Sequence, residues 1–395
     1  MKLSIFKSII FSILLIFISF GIQSEESKVK DDPKSTLDSN TISNPPNDYL
    51  PIVNVGLDTY YTNSSIRFPE QTQPYVTQSI RTNEFSINHA LVNISKNSES
   101  YRYALGLHAG TYVQVNYAME PDQYRPLYQA WAGLALTKNL WIDLGIFPSH
   151  IGGETSLSFQ NFNYTRSLVA ENSPYYETGA RIVWNPLDDL KISLYFLNGW
   201  QRIKETNLDK AIGTELQYTF NKNWLLNYST FIGNEAENKE QRQTRYFNDF
   251  YLKGKFYDWW EFYLIYDIGI QRKPLVSWVD NLFTLDNLQK NISKESYSRW
   301  EGFAIQFYFH LNTYWKIGIR AEGFYDPNEI LVKTYTNNGY SLESGSLNLD
   351  FLPYEMMKFR IEGKYNSAWD KIYRDQKNFR FDRENLLIFN FSFYI

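Results

Sequence analysis

The chain of 395 residues has no cysteine, four histidines and four methionines, and it has no apolar run of helix length outside its first 20 residues. Without cysteine there are no disulfides, no thiol nucleophile, no thiolate metal site and no lipid-modified N-terminal cysteine. His89, His108, His150 and His310 lie on separate segments without the His-Glu-x-x-His spacing that gathers a metal, so no metal centre is predicted. No glycine-rich phosphate loop occurs, no cofactor is expected, and no serine, histidine and carboxylate can be assigned to one another as catalytic residues. Lys+Arg total 39 against 43 Asp+Glu, a net charge of -4 without a basic run, so nucleic acid is not an expected partner.

The start of the chain sets the compartment. Lys2 and Lys7 precede an apolar run from Ser8 to Phe20. At about 13 residues it is too short to span a bilayer as a helix. It has the form of a secretory signal peptide, residues 1–21, with Ser19 and Gly21 at the positions a signal peptidase reads. Residues 22–49 are polar and acidic and contain Pro33, Pro45 and Pro46, so they read as a disordered lead-in.

Aromatics are abundant instead: 31 Tyr, 28 Phe and 11 Trp, or 18% of residues, at a mean hydropathy of only -0.43. A soluble globule combines these poorly, whereas a transmembrane β-barrel has an apolar outside, a polar inside and aromatic girdles. Period-two alternation recurs from residue 50 to the end. It predicts strands at 52–62, 81–94, 101–116, 127–136, 140–147, 175–184, 190–200, 210–220, 223–233, 246–256, 259–271, 298–309, 313–324, 342–352, 356–366 and 385–395. These number about 16, an even count. Short connections such as Thr137-Lys138-Asn139 and Asn221-Lys222 alternate with long polar ones such as 63–80, 148–174 and 272–297, the rhythm of periplasmic turns and external loops. The faces separate cleanly: Phe359, Ile361 and Tyr365 oppose Lys358, Arg360, Glu362 and Lys364, and Ile317 and Ile319 oppose Lys316, Arg320 and Glu322. Arg299 and Glu301 share the apolar parity, which calls for a bulge or a place above the membrane. An all-β sandwich would need a second apolar face, and these opposite faces are too charged for one. The fold class predicted is thus an all-β antiparallel transmembrane barrel over residues 50–395.

The segments LGIFPSHIGGE, NYTRSL and SPYYETGARI within residues 144–184 resemble the β-barrel porin-2 family of bacterial outer membranes. The resemblance implies an integral outer-membrane location and a pore, and it carries over no catalytic residue. The expected partners are small hydrophilic solutes or ions, outer-membrane lipid and the barrel-assembly machinery. A homo-trimer is expected by analogy with other sixteen-stranded porins. A barrel that binds ligands or host surfaces through its external loops is the alternative; a barrel enzyme is a third reading without a motif behind it.

The segment 148–174 is the third long connection. In sixteen-stranded general porins the third external loop commonly folds inward, and Gly152-Gly153 permits the bend. Glu154, Arg166 and Glu171 on this segment are candidate pore-lining residues. Glu177, Arg181, Lys316, Arg320, Lys358, Arg360 and Lys364 are the wall candidates, the last five forming a basic stripe. Replacing Arg320 by Ile is expected to be mild, because position 320 faces the lumen. Mass spectrometry of the protein isolated from outer membranes should place its N-terminus within a few residues of Ile22. A mature chain retaining Met1 would show that the apolar run is an anchor.

Overall fold

The computed structural model describes residues 50–238, 240–272 and 297–395. The expected signal peptide, the expected lead-in and most of the expected connection 272–297 lie outside the described residues. Sixteen strands close into one antiparallel barrel. They are β1 (Ile52–Ser64), β2 (Phe85–Asn97), β3 (Tyr101–Ala109), β4 (Leu127–Thr137), β5 (Leu140–Pro148), β6 (Tyr176–Leu187), β7 (Leu190–Leu197) and β8 (Ala211–Phe220). The second half comprises β9 (Trp224–Asn234), β10 (Thr244–Phe256), β11 (Trp260–Arg272), β12 (Tyr297–His310), β13 (Trp315–Asp326), β14 (Tyr340–Tyr354), β15 (Met357–Ala368) and β16 (Arg383–Tyr394). Each strand pairs with its sequence neighbours, and β1 pairs with β16 from Gly56↔Tyr394 to Ser64↔Leu386. Ile395 adds backbone bonds to Val55 at 2.9 and 3.0 Å, so the seam is closed to the last residue. Closure removes the free edges of the barrel sheet, as hydrocarbon requires.

Period two decides what each strand shows to lipid. On β13 Ile319 is 42% exposed and Arg320 is 2% exposed; on β15 Ile361 faces out and Arg360 is buried. The turns at one end are tight. Asn221 and Lys222 both have positive φ, 53° and 58°, the geometry of a two-residue turn that matches strand twist.

Three local expectations change. The third strand stops at Ala109 rather than at 116, and α1 (Thr111–Asn116) follows. Gly110 turns the chain there with φ 128°, and a Cβ on it would lie 2.3 Å from the carbonyl oxygen of Asn88. The second strand starts at Phe85 rather than at 81, because Arg81 and Glu84 pair with each other at 2.7 Å in the preceding connection. No bulge marks Arg299 and Glu301. β12 pairs with β11 without a register shift. The two residues sit at its external end, where Glu301 accepts from Arg299 and from the Tyr266 hydroxyl, both within 2.8 Å.

The outward register supplies a test. Ile319→Arg places a cation in hydrocarbon, a cost of roughly 2–4 kcal/mol near the midplane. Refolding into vesicles, read by the gel shift of heat-resistant barrels, should fall sharply. A yield equal to wild type would mean that β13 is out of register by one residue.

Candidate functional site

β5 ends at Pro148, which has no N–H to continue a ladder. The chain then leaves the wall. Gly152, with φ 77° and open space where a Cβ would be, turns it into the barrel interior. Residues 149–174 carry only a 3-10 turn, Ser158–Gln160, and one α-turn, α2 (Leu168–Glu171), capped by Ser167 Oγ accepting from Ala170 N at 3.1 Å. Such a segment leaves most of its backbone polar groups without ladder partners, and each buried one needs another. The wall provides them.

The first anchor is His150. Its Nδ1 lies 2.8 Å from Glu177 and its Nε2 2.9 Å from the Thr230 carbonyl oxygen, while the ring stacks on Tyr195 at 4.1 Å. Both nitrogens face acceptors, an arrangement that favours the protonated ring. Burial is the largest influence and lowers its pKa, but Glu177, the Thr230 carbonyl and Glu215 together outweigh it and the net shift is upward. Next, Gly153 N donates to the Tyr263 hydroxyl at 2.9 Å and Lys253 Nζ donates to Gly153 O at 2.6 Å. Glu154 accepts from Ser167 N at 2.8 Å and closely from Gln306. Burial pushes its carboxyl upward, with Arg320 opposing the shift.

The segment then reaches the opposite wall. Arg360 donates to Ser158 O at 2.6 Å and Asn161 O at 2.5 Å, and Lys358 donates to Phe159 O at 2.6 Å. Ser158 Oγ donates to Asp58 on β1 at 2.7 Å. Thr165 donates through N and Oγ1 to Glu362, at 2.8 and 2.5 Å, and accepts from Arg320 at its carbonyl and its hydroxyl, at 2.5 and 2.7 Å. Leu168 N donates to Glu322 at 2.6 Å, and Ser173 Oγ to Asp267 at 2.8 Å. From outside, the connection after β1 is tied on. Thr77 donates to Glu171 through N and Oγ1, at 2.8 and 2.7 Å, and Arg166 donates to Thr77 Oγ1 at 2.9 Å. Arg166 also lies over the rings of Tyr112 and Tyr175, at 4.5 and 3.8 Å. Burial opposes its charge, and Tyr175, Tyr112 and Glu171 around it hold its pKa above the ordinary value.

The candidate residues therefore divide. Glu154, Arg166, Glu171 and Glu177 belong to or hold the crossing segment. Arg320, Lys358, Arg360 and Lys364 are buried beside it, with Arg320 3.2 Å from Glu322 and 3.6 Å from Glu362, Lys364 3.2 Å from Glu322, and Arg360 3.1 Å from Asp350. The expectation that replacing Arg320 by Ile is mild assumes a side chain in water, whereas Arg320 is buried between Glu362 and Glu322, the latter also paired with Lys364. Arg181 and Lys316 stand apart near the short-turn end. Arg181 pairs with Asp143 at 2.7 Å, and Lys316 lies over the Tyr308 ring at 5.6 Å.

One cluster escapes the sequence reading. His89 Nε2 and His108 Nδ1 are 2.9 Å apart, and His108 Nε2 meets the Arg125 carbonyl oxygen at 2.9 Å, which fixes its tautomer as the donor there. Both residues are inward positions of one hairpin, so its register would have placed them together. Among the described residues no group of three or more His, Cys, Asp or Glu is arranged to hold a metal ion.

Comparison with known proteins agrees with this geometry. Residues 53–393 match the family described as Putative beta-barrel porin-2, OmpL-like. No curated protein matches the chain. Among solved structures it resembles outer-membrane expressed OmpT of Vibrio cholerae, at a TM-score of 0.54 and 8% identity, covering 87% of this chain and 97% of that one. The anion-selective porin from Comamonas acidovorans is matched at a TM-score of 0.54 and 5% identity, covering 87% and 99%. The in-vitro folded trimer form of V. cholerae OmpT gives a TM-score of 0.52 at 8% identity, covering 87% and 99%. At such identities the likeness is one of fold. The family match spans nearly all of the barrel, and the chain belongs to that β-barrel porin-2, OmpL-like family: it is an integral outer-membrane channel protein.

Proposed function

We propose that the protein admits small hydrophilic solutes by passive diffusion, and that residues 149–174 form the narrowest part of its passage. The observation behind this is the span of the segment's bonds, from Thr230 and Tyr263 on one side of the lumen to Asp58 and Arg360 on the other. A barrel of sixteen strands is otherwise wide enough for an aqueous channel. In this reading Arg181 and Lys316 meet the solute. Arg320, Lys358, Arg360, Lys364 and Glu177 act behind them by fixing the segment, and Glu154, Arg166 and Glu171 shape its inner edge. The chemistry is transport without bond making, so no catalytic group is assigned. Assembly as a homo-trimer is part of the proposal, motivated by the trimer form among its structural relatives.

Deleting Leu157 to Arg166 removes the central anchors and leaves all strands intact. Single-channel conductance in planar bilayers should rise several-fold while the barrel stays heat-resistant on gels. A folded deletion variant with wild-type conductance would place the constriction elsewhere.

A further inference from the structure

The charges near the short-turn end of the lumen are arranged differently from those around the crossing segment. Lys191, Lys255, Arg102, Arg181 and Lys316 face inward there from five different strands. Carboxylates are present too, and several are hidden and satisfied. Asp143 is fully buried between Arg102 and Arg181, each 2.7 Å away. Glu215 is buried against Lys191 at 3.1 Å and accepts from the Tyr195 hydroxyl at 2.8 Å. Asp350 is fully buried against Arg360 and the Tyr308 hydroxyl. Others are not hidden: Glu261 is partly exposed and paired with His310 at 2.8 Å, and Asp258 is fully exposed and paired with Lys255 at 3.3 Å. The cations keep part of their surface in water: the side chains of Lys191 and Arg181 are 24% and 16% exposed. The turns themselves carry exposed Glu99, Asp188, Asp189, Asp258 and Glu355; past them, a solute meets the partly exposed Lys191 and Arg181 with Glu215 and Asp143 buried behind these two cations.

Arg102 and Arg181 form the best-defined part of this mouth. Their guanidinium planes are fixed twice. Asp143 takes Nε and Nη2 of Arg102 and Nε of Arg181, all at 2.7 Å. Aromatic faces hold the same groups: Arg102 lies 4.6 Å from the Trp141 ring, and Arg181 lies 4.9 Å from Trp131 and 4.7 Å from Phe147. Nη1 of Arg102 and both Nη atoms of Arg181 have no hydrogen-bond partner among the described residues. Two rigid cations thus share one carboxylate and retain spare planar donors, a geometry suited to oxyanions.

We infer that the Arg102–Asp143–Arg181 cluster, at the short-turn mouth of the lumen, is a binding site for small oxyanions, carboxylate or phosphate, and biases the channel toward anions. The bias rests on the diffusion-channel reading; binding at the cluster does not. Two measurements separate them. Inorganic phosphate is titrated against the full-length protein folded in detergent and followed by the width of its 31P resonance. Reversal potentials under a salt gradient are recorded in planar bilayers, with potassium chloride and then potassium succinate. The wild type should broaden the phosphate resonance saturably and favour chloride over potassium several-fold, and succinate should compete with phosphate. The variant R102Q/D143N/R181Q removes the cluster without leaving a lone buried charge, and should weaken phosphate binding about tenfold or more. If it fails to fold, K191Q/K316Q lowers the positive potential around the intact cluster and should weaken binding measurably. Phosphate binding unchanged in a folded variant, or no saturable broadening by the wild type, overturns the site. A cation-preferring wild type overturns the bias. Absence of any conductance refutes the diffusion channel, while the phosphate titration still decides the site.

Discussion

A charged group removed from water must find a partner, and inside this barrel many of the partners are backbone atoms of one irregular segment. Arg320 and Arg360 together take carbonyl oxygens of Ser158, Asn161 and Thr165, while Glu322 and Glu362 take the N–H groups of Leu168 and Thr165. Without the segment these side chains would stand in water and cost little. With it they are buried, and the ion pairs they make with one another and with Asp350 are completed by the segment's unladdered N–H and C=O groups aimed at them. The dependence is mutual. An irregular chain at membrane depth is tolerated where it is enclosed by protein, and here the enclosing wall supplies the bonds that a strand would have drawn from a neighbour.

The barrel makes this possible by being rigid where it meets lipid. Every barrel strand is paired on both sides, and the last residue pairs with the first strand. Inward positions therefore recur at fixed spacing. Lys316, Arg320 and Glu322 on β13 face Asp350, Ser346 and Ser344 on β14, and β14 faces Arg360, Lys364 and Asn366 on β15. A polar lattice of known pitch is what lets a segment without regular structure be held along most of its length.

The lattice is legible in the sequence, and the segment's path is legible only in part. Alternation such as Ile317, Ile319 against Lys316, Arg320 reports a two-faced strand directly, because one change of parity would put charge into hydrocarbon. The alternation of short and long connections fixes the order of strands. Gly152 and the polar composition of 148–174 point inward as an expectation. What cannot be read is pairing across the lumen. Thr165 is 155 residues from Arg320 and 197 from Glu362, so no local pattern links them. For the same reason Arg320 and Arg360 read as wall charges facing water, whereas they hold a buried backbone. The third strand reads too long because Val113 and Val115 continue the apolar alternation of Leu105, Leu107 and Ala109, which Gly110 breaks only through its backbone geometry.

The two sets of charge follow from one physical difference. Around the segment, cation and carboxylate are buried in contact, as with Arg320 between Glu322 and Glu362, and Lys364 beside Glu322. Such pairs cancel at short range and project little field into the passage, so their work is positional. Near the short turns the cations keep water contact while Asp143, Glu215 and Asp350 are buried behind them, so their charges are only partly cancelled as seen from the lumen. Low-dielectric walls focus that remainder onto the solution. On the proposed reading, width and charge preference are set at different depths by different residues. A change that loosens the segment would alter how much passes, and a change at the Arg102 and Arg181 pair would alter which sign passes. A single ring of exposed charges at the narrowest point could not separate the two, because every substitution there would change both.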